Sequence, residues 1–302
     1  MKKIVIAGGT GFLGSCLAQH YEAHGWEVVI LTRGTTRQQG PVQYVTWDGK
    51  NLGPWTTTLE GAEVVVNLNG RSVDCRYTEE NKRLIYSSRL DATAILGAAI
   101  QRAKNPPKAW LNAASATIYR HAEDREMDEY TGEIGTGFSV DVCQKWEAMF
   151  NSVDTPATRK ILLRIGIVLG NHGGPLRPLK MMAKLGAGGK QGSGNQYCSW
   201  LHETDFVQIV EFLITHPETA GVYNVTAPVP VKNKLFMRAL RQATGIPFGI
   251  PMPAGLLEIG AHIIQTETEL ILKSRRVVPA RLLQAGYRFR FPTIEQALDN
   301  LC

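Results

Sequence analysis

The chain has 302 residues, 44% of them hydrophobic and 20% charged, which suits one large or two moderate folded domains and excludes a disordered polymer. The apolar run IVIAG at 4–8 is too short for a signal peptide or a membrane span. Five scattered cysteines (Cys16, Cys75, Cys143, Cys198, Cys302) with no CxxC pair argue against a disulfide framework or a zinc site, and for a cytoplasmic protein with no metal. The net charge of +6 gathers in residues 232–302 without a recognition motif, so a solvated basic face or an acidic ligand is expected, not nucleic acid.

In chain order, KIVIAG (3–8) predicts a short buried strand, followed by Gly8–Gly14 and a helix through about His24 that Gly25 closes. EVVILT (27–32), VQYVTW (42–47) and AEVVVNLNG (62–70) predict the second, third and fourth strands. A helix is expected over about 78–103, with Thr78 as its N-cap. KAWLNAAS (108–115) is the fifth strand. FSVDVCQKWE opens a helix that buries Phe138, Val142, Trp146, Met149 and Phe150, and RKILLRIGIVLG (159–170) is the sixth strand. Strands and helices alternate, and the strands lack strict polar alternation. The fold class is therefore α/β, a Rossmann doubly wound parallel sheet.

After Gly170 the composition shifts to Gly, Lys and Pro. A loop with a short helix near 176–185 is followed by a helix (204–216), a strand (221–227) and a helix (232–244). Pro247, Pro251 and Pro253 mark a rigid connection to helices within 254–300. The simplest division is a cofactor domain over 1–170, to which 204–227 returns, and a smaller mixed C-terminal domain over most of 171–302 on the substrate side of a cleft.

Gly8, Gly9, Thr10, Gly11, Phe12, Leu13 and Gly14 lie between the first strand and the first helix. In that context, absent Cβ atoms let the backbone approach a pyrophosphate, and the helix start adds free N–H groups and a positive dipole end. An NAD-binding chain usually carries Asp or Glu after the second strand. Here Thr32 and Arg33 offer a hydroxyl and a guanidinium suited to a 2′-phosphate, which points to NADP(H). Ligands sit at strand carboxyl ends in such sheets, so Asp48 is expected at the adenine, Leu68, Asn69 and Gly70 at the adenosine side, and Leu169 near the nicotinamide. Arg89 is a candidate for the cofactor phosphates.

GGTGFLG, NLNG and SATIY resemble the extended short-chain dehydrogenase/reductase superfamily. TEENKRLIYSSRLDAT, VCQKWE, RIGIVLGNHGGPL, GSGNQYCSWLHETD and PARLLQAGYRFRFPTIEQAL narrow the resemblance to its atypical, sugar-nucleotide epimerase-like group with a DUF1731 C-terminal segment, here about 250–301. It runs from Lys3 to Leu301 and implies NADP binding on the Rossmann domain. It also implies an oxidoreductase- or epimerase-like activity on a small-molecule substrate that the group does not define.

The superfamily catalyses with Ser/Thr, Tyr and Lys. By this resemblance Ser115 holds the serine position, four residues before Tyr119, itself a weaker candidate acid. Anchoring the next helix on Glu147 puts the tyrosine slot at Ser139 and the lysine slot at Cys143, and no YxxxK occurs in the chain. Two readings follow: an NADP(H)-dependent enzyme with a non-standard proton route, or a non-catalytic NADP(H)-binding sensor or scaffold. Membrane association is not expected, and assembly as a homo-oligomer is left open.

Overall fold

The computed structural model describes residues 1–263 and 267–302. Its main sheet has eight strands: β1 (Lys3–Ala7), β2 (Glu27–Thr32), β3 (Arg37–Gln39), β4 (Val42–Thr46), β5 (Val64–Asn67), β6 (Ala109–Ser115), β7 (Arg159–Ile165) and, in the same sheet, a late strand at Gly221–Val225. The spatial order, starting from that late strand, runs β7, β6, β5, β1, β2, β4, β3. Every pairing is parallel except β3 with β4. The order reverses between β1 and β5, so the crevice at their carboxyl ends is where a doubly wound sheet takes its ligand.

The pleat sends alternate residues to opposite faces. Ile4, Ile6, Val28, Ile30, Val64 and Val66 face one core with Leu17 and Tyr21 of α1 (Phe12–Ala23). Val5, Val29, Val65 and Trp110 face the other with Leu96 and Ile100 of α2 (Glu79–Arg102) and Phe150 of α3 (Phe138–Ser152). Both faces being covered explains why the strands read as continuous apolar runs. Thr78 caps α2 by accepting the Asn81 N–H at 3.2 Å.

The predicted sixth strand is two strands. After Ile165 the chain leaves the sheet at Gly166, where a Cβ would lie 2.6 Å from the Ser199 carbonyl oxygen. Gly166 N–H donates to Val225 O, while Ile167 N–H donates to Ser199 O, so the backbone partner changes within one step. β8 (Ile167–Leu169) then pairs with a later strand at Trp200–His202, Leu169 opposite His202. The all-polar, exposed β3 carries no hydrophobic signal and was not expected from the sequence.

The rest of the chain adds α4 (Leu176–Met182), β9 (Tyr197–Cys198), β10 (Trp200–His202), α5 (Glu203–Thr215), β11 (Gly221–Val225, the edge strand of the main sheet) and β12 (Val231–Lys232). α6 (Asn233–Ala243), α7 (Ala254–Ile263), α8 (Glu269–Leu272), α9 (Ala280–Gln284) and α10 (Ile294–Leu301) complete it. Asp205 of α5 is fully buried and accepts the Arg290 and Phe291 N–H groups at 2.8 and 2.9 Å, and its carboxylate also takes the Tyr287 hydroxyl. That buried carboxylate is fully satisfied by donors from the C-terminal segment, which it fastens against α5. No described helix is long and apolar enough to cross a membrane.

Candidate functional site

The glycine loop has the backbone that a phosphate cradle needs. Gly8 has φ +77°, a left-handed conformation that disfavours a side chain, and its Cβ would meet the Asn69 backbone at 3.0 Å. A Cβ on Gly14 would lie 2.4 Å from Gly9 Cα, so the two glycines allow α1 to close onto β1. Gly11 is the N-cap of α1. It offers no capping side chain, and the first turn holds no acidic residue, so the helix start keeps its amides and its positive end for an anion. Thr10, Gly11 and Phe12 line one end of a groove of about 740 Å³ between α1 and α5. The Phe12 ring packs on the backbone of Gly170, Gly173 and Gly174, and Leu13 packs into the core.

Where the sequence places the adenosine side, Arg33, Trp47, Asp48, Asn51, Leu52 and Trp55 line a cleft of about 490 Å³. Arg33 is exposed and has no hydrogen-bond or ion-pair partner among the described residues. Thr32 Oγ1 accepts the Gly34 N–H at 3.1 Å. Asp48 lines the cleft, but its carboxylate is committed to the turn. It accepts Lys50 N–H, Asn51 N–H and the Asn51 amide, which together hold its pKa down at about 2. Leu68 N–H donates to Ala7 O, and the Asn69 amide donates to Ser88 O at 3.0 Å, which fixes the loop after β5 beside the glycine loop. Gly70 leaves room for Arg89, whose Cζ a Cβ there would approach to 3.2 Å. Arg89 donates to the Arg71 and Ile85 carbonyls and lies 5.1 Å from the centre of the Trp146 ring.

Two expectations are corrected. Leu169 ends β8 and not a strand of the main sheet, and its side chain is 0% exposed in the core, so it cannot face a nicotinamide. Tyr119 is 0% exposed. Its hydroxyl donates to Asn224 Oδ1 at 2.9 Å and accepts from Arg164 Nη1 at 2.8 Å, while burial pushes its pKa up. A phenol saturated inside the core is a packing residue, not an acid facing a cleft. Arg164 in turn grips Glu147 with two 2.8 Å bonds, which fixes the angle of α3 to β7.

Ser115 ends β6, half-buried, with Oγ accepting the Thr117 N–H at 3.2 Å. Accepting that bond leaves its hydroxyl proton available to donate. On α3, burial pushes the Cys143 thiol up to about 12, so it is not a thiolate at neutral pH. Ser139 is 8% exposed and is not alone. Its Oγ donates to Glu269 Oε2 at 3.1 Å and lies 3.3 Å from the Tyr77 hydroxyl. Lys273 pairs with the other Glu269 oxygen, and Glu267 accepts the Tyr77 N–H at 2.9 Å. A phenol from the loop before α2 thus reaches the slot where α3 carries a serine. Sequence reasoning missed Tyr77 because no spacing links it to position 139; only the fold does. Among the described residues no group of three or more His, Cys, Asp or Glu could hold a metal ion.

The NAD dependent epimerase/dehydratase family matches residues 4–226, and the domain of unknown function DUF1731 matches 252–301. The chain belongs to the NAD dependent epimerase/dehydratase family. Within that family it is an atypical short-chain dehydrogenase/reductase. It is 33% identical to the epimerase family protein SDR39U1 of Bos taurus over 99% of each chain. It is 30% identical to the epimerase family protein SSP1921 of Staphylococcus saprophyticus, over 100% of this chain and 99% of that one. The crystal structure of human SDR39U1 (isoform 2) with NADPH superposes with a TM-score of 0.88 at 30% identity, covering 99% of this chain and 98% of the other. The family assignment makes this an NAD(P)-binding protein, and the glycine loop and the uncapped start of α1 fit a dinucleotide pyrophosphate.

Proposed function

We propose that this family member is an NADP(H)-dependent oxidoreductase or epimerase-like enzyme that takes its acid–base group from Tyr77 instead of from α3. The observation that carries the reading is the Tyr77 hydroxyl 3.3 Å from Ser139 Oγ, at the slot the superfamily reserves for its tyrosine. Gly8–Gly14 would hold the pyrophosphate and Arg33 the 2′-phosphate. The unpartnered guanidinium and the NADPH held by human SDR39U1 both support the phosphorylated cofactor. The C-terminal part, mainly 171–302, would supply the substrate side.

When bound, the cofactor supplies or accepts the hydride; the residues here handle the proton. Tyr77 donates to Ser139, and Ser139 donates to Glu269. As the Tyr77 oxygen takes a substrate hydroxyl proton, its own proton moves to Ser139 and the Ser139 proton to Glu269, so no charge is left on the phenol. Burial, together with Glu269 and Glu267, raises the Tyr77 pKa. A standing phenolate is therefore disfavoured and a relay is the cheaper route. Ser115, with a free hydroxyl proton, would orient the reacting oxygen.

The second reading, a non-catalytic NADP(H) sensor or scaffold, is favoured by the thiol that stands where the superfamily has an ammonium. The test is incubation of the NADPH-loaded protein with a metabolite pool, read by mass spectrometry, for the parent and Tyr77→Phe. A cofactor-dependent product made by the parent and lost in Tyr77→Phe is expected. Equal product from both overturns the proton route, and NADPH binding without any product favours the sensor.

A further inference from the structure

Two stretches of the C-terminal part carry cations and no carboxylates. Residues 171–202 hold four Lys/Arg and no Asp or Glu, and residues 219–257 hold four more and again none. None of these cations is in an ion pair among the described residues. The fold sets the two stretches side by side. A turn of π-helix, Ala183–Ala187, follows α4. Gly186 O accepts the Ile250 N–H at 2.8 Å, and Ile250 O accepts the Gly189 N–H at 3.2 Å. A Cβ on Gly249 would lie 2.5 Å from the Gly188 carbonyl carbon, so the two backbones touch. Arg241 of α6 fastens the joint by donating to Gly188 O at 2.6 Å. Four large apolar side chains stand out from it into solvent: Met181 is 60% exposed, Leu185 78%, Phe248 63% and Ile250 61%. The Phe248 ring lies 3.8 Å from where a Gly186 Cβ would be, next to Leu185, and Met181 precedes Leu185 by one turn. Pro247 and Pro251 bracket Phe248–Ile250 and restrict its backbone. Beside Phe248, Arg238 and Arg241 line a hollow of about 280 Å³ with Ile246 and Pro247, and the exposed Lys184 adjoins Leu185. Single exposed apolar residues are ordinary, but adjoining ones rimmed by cations mark a contact surface.

We infer that this face docks on an anionic membrane surface, with Leu185, Phe248 and Ile250 entering the boundary between headgroups and acyl chains and the cations meeting lipid phosphates. Charge complementarity selects the occupant. Cations free of carboxylates are drawn to an anionic leaflet, and apolar side chains at the tip of a ribbon gain by leaving water there. A second copy would bring the same positive face against itself, and a polynucleotide would answer the cations but leave the apolar side chains in water. The contact is peripheral, because no described helix is long and apolar enough to cross a membrane. It was not expected from the sequence for a simple reason: the patch exists only where the stretch at 185 meets the stretch at 248.

The test uses the full chain and vesicles of phosphatidylcholine alone or of phosphatidylcholine and phosphatidylglycerol in equal parts, read by co-flotation. The parent is expected to float with the mixed vesicles and not with phosphatidylcholine alone, and added salt should weaken the contact. Lys184→Gln and Arg238→Gln should each lower the partition coefficient about fivefold. Phe248→Ser should lower it about tenfold or more. Lys104→Gln, in the turn after α2 beside Glu60, is the control for net charge and should stay within about twofold of the parent. Melting temperatures near the parent's are expected throughout, since these side chains are exposed or, at Lys104, outside the core. A parent that binds neither kind of vesicle overturns the inference. Equal losses in Lys184→Gln, Arg238→Gln and Lys104→Gln reduce the binding to net charge and overturn the site. Parent-like binding by folded Phe248→Ser overturns the insertion, and if polyglutamate also displaces the parent from vesicles, the face belongs to an acidic polypeptide instead.

Discussion

The Tyr77 hydroxyl lies 3.3 Å from Ser139 Oγ although the two residues are 62 positions apart. The contact is held from both sides. The Tyr77 ring packs against Phe138, with centroids 4.7 Å apart, and its N–H is fixed by Glu267. Tyr77→Phe keeps the ring and removes only the hydroxyl. NADPH affinity and melting temperature are expected to change little, while formation of the cofactor-dependent product falls by about 10²–10⁴-fold, the usual worth of a positioned acid–base group. Ser139→Ala cuts the same chain one bond later and should lower the rate without changing cofactor affinity. A Tyr77→Phe protein that turns over at the parent rate refutes the relay.

Arg33 is expected to set cofactor choice. Its guanidinium is exposed at the rim of the cleft with Asp48 and Trp47 and has no partner among the described residues. Pairing with a 2′-phosphate costs it no existing bond. Charged hydrogen bonds of this kind contribute about 1.5–3 kcal/mol, so the parent should prefer NADPH to NADH by about 10- to 100-fold and Arg33→Ala should erase most of that preference. Equal calorimetric affinities for NADH and NADPH in the parent would refute it.

Gly11 separates ligand from fold. A Cβ there meets only Gly8 O at 3.6 Å, whereas one on Gly14 collides with Gly9 at 2.4 Å. Gly11→Val is therefore expected to fold, with a melting temperature near the parent's, yet to lose NADPH binding because the side chain enters the space the pyrophosphate needs. Gly14→Val should damage folding itself by overpacking. Normal NADPH binding by folded Gly11→Val would remove the loop from the phosphate site.

The doubly wound sheet was legible because its signals are local: buried apolar runs, a glycine turn and the Thr78 cap. The break at Gly166 was not, because RKILLRIGIVLG is apolar throughout. Only the approach of Ser199 and Thr226 to Gly166 decides where the strand leaves the sheet. Tyr119 misled for a related reason: its place after Ser115 is local, but its burial depends on Asn224 and Arg164 from two other strands. The candidate site divides the same way. The glycine loop lies in one stretch of chain, whereas Tyr77, Ser139 and Glu269 meet only after the C-terminal segment docks.

That docking should be sensitive to acid through His202. The ring is 1% exposed and stacks on Phe291 at 3.9 Å. Nδ1 accepts the Thr204 N–H at 3.0 Å, which leaves Nε2–H to donate to Asn300 Oδ1 at 3.1 Å, so the bonds fix the neutral tautomer. Burial lowers the His202 pKa below its ordinary value of 6.5; Asn300, Asp205 and Glu203 oppose the shift and Arg290 adds to it. With the folded pKa depressed, the unfolded chain takes up the proton first as pH falls through about 6.5. The neutral ring's contribution is therefore fully present above that pH and is lost as pH falls toward the folded pKa. His20, also depressed by burial, adds a loss of the same sign in the same window. Denaturant melts between pH 8 and pH 5 should show stability falling with acid. His202→Gln should be less stable at pH 8 but show a shallower fall. A variant whose pH profile parallels the parent's would show that His202 is not the group that titrates.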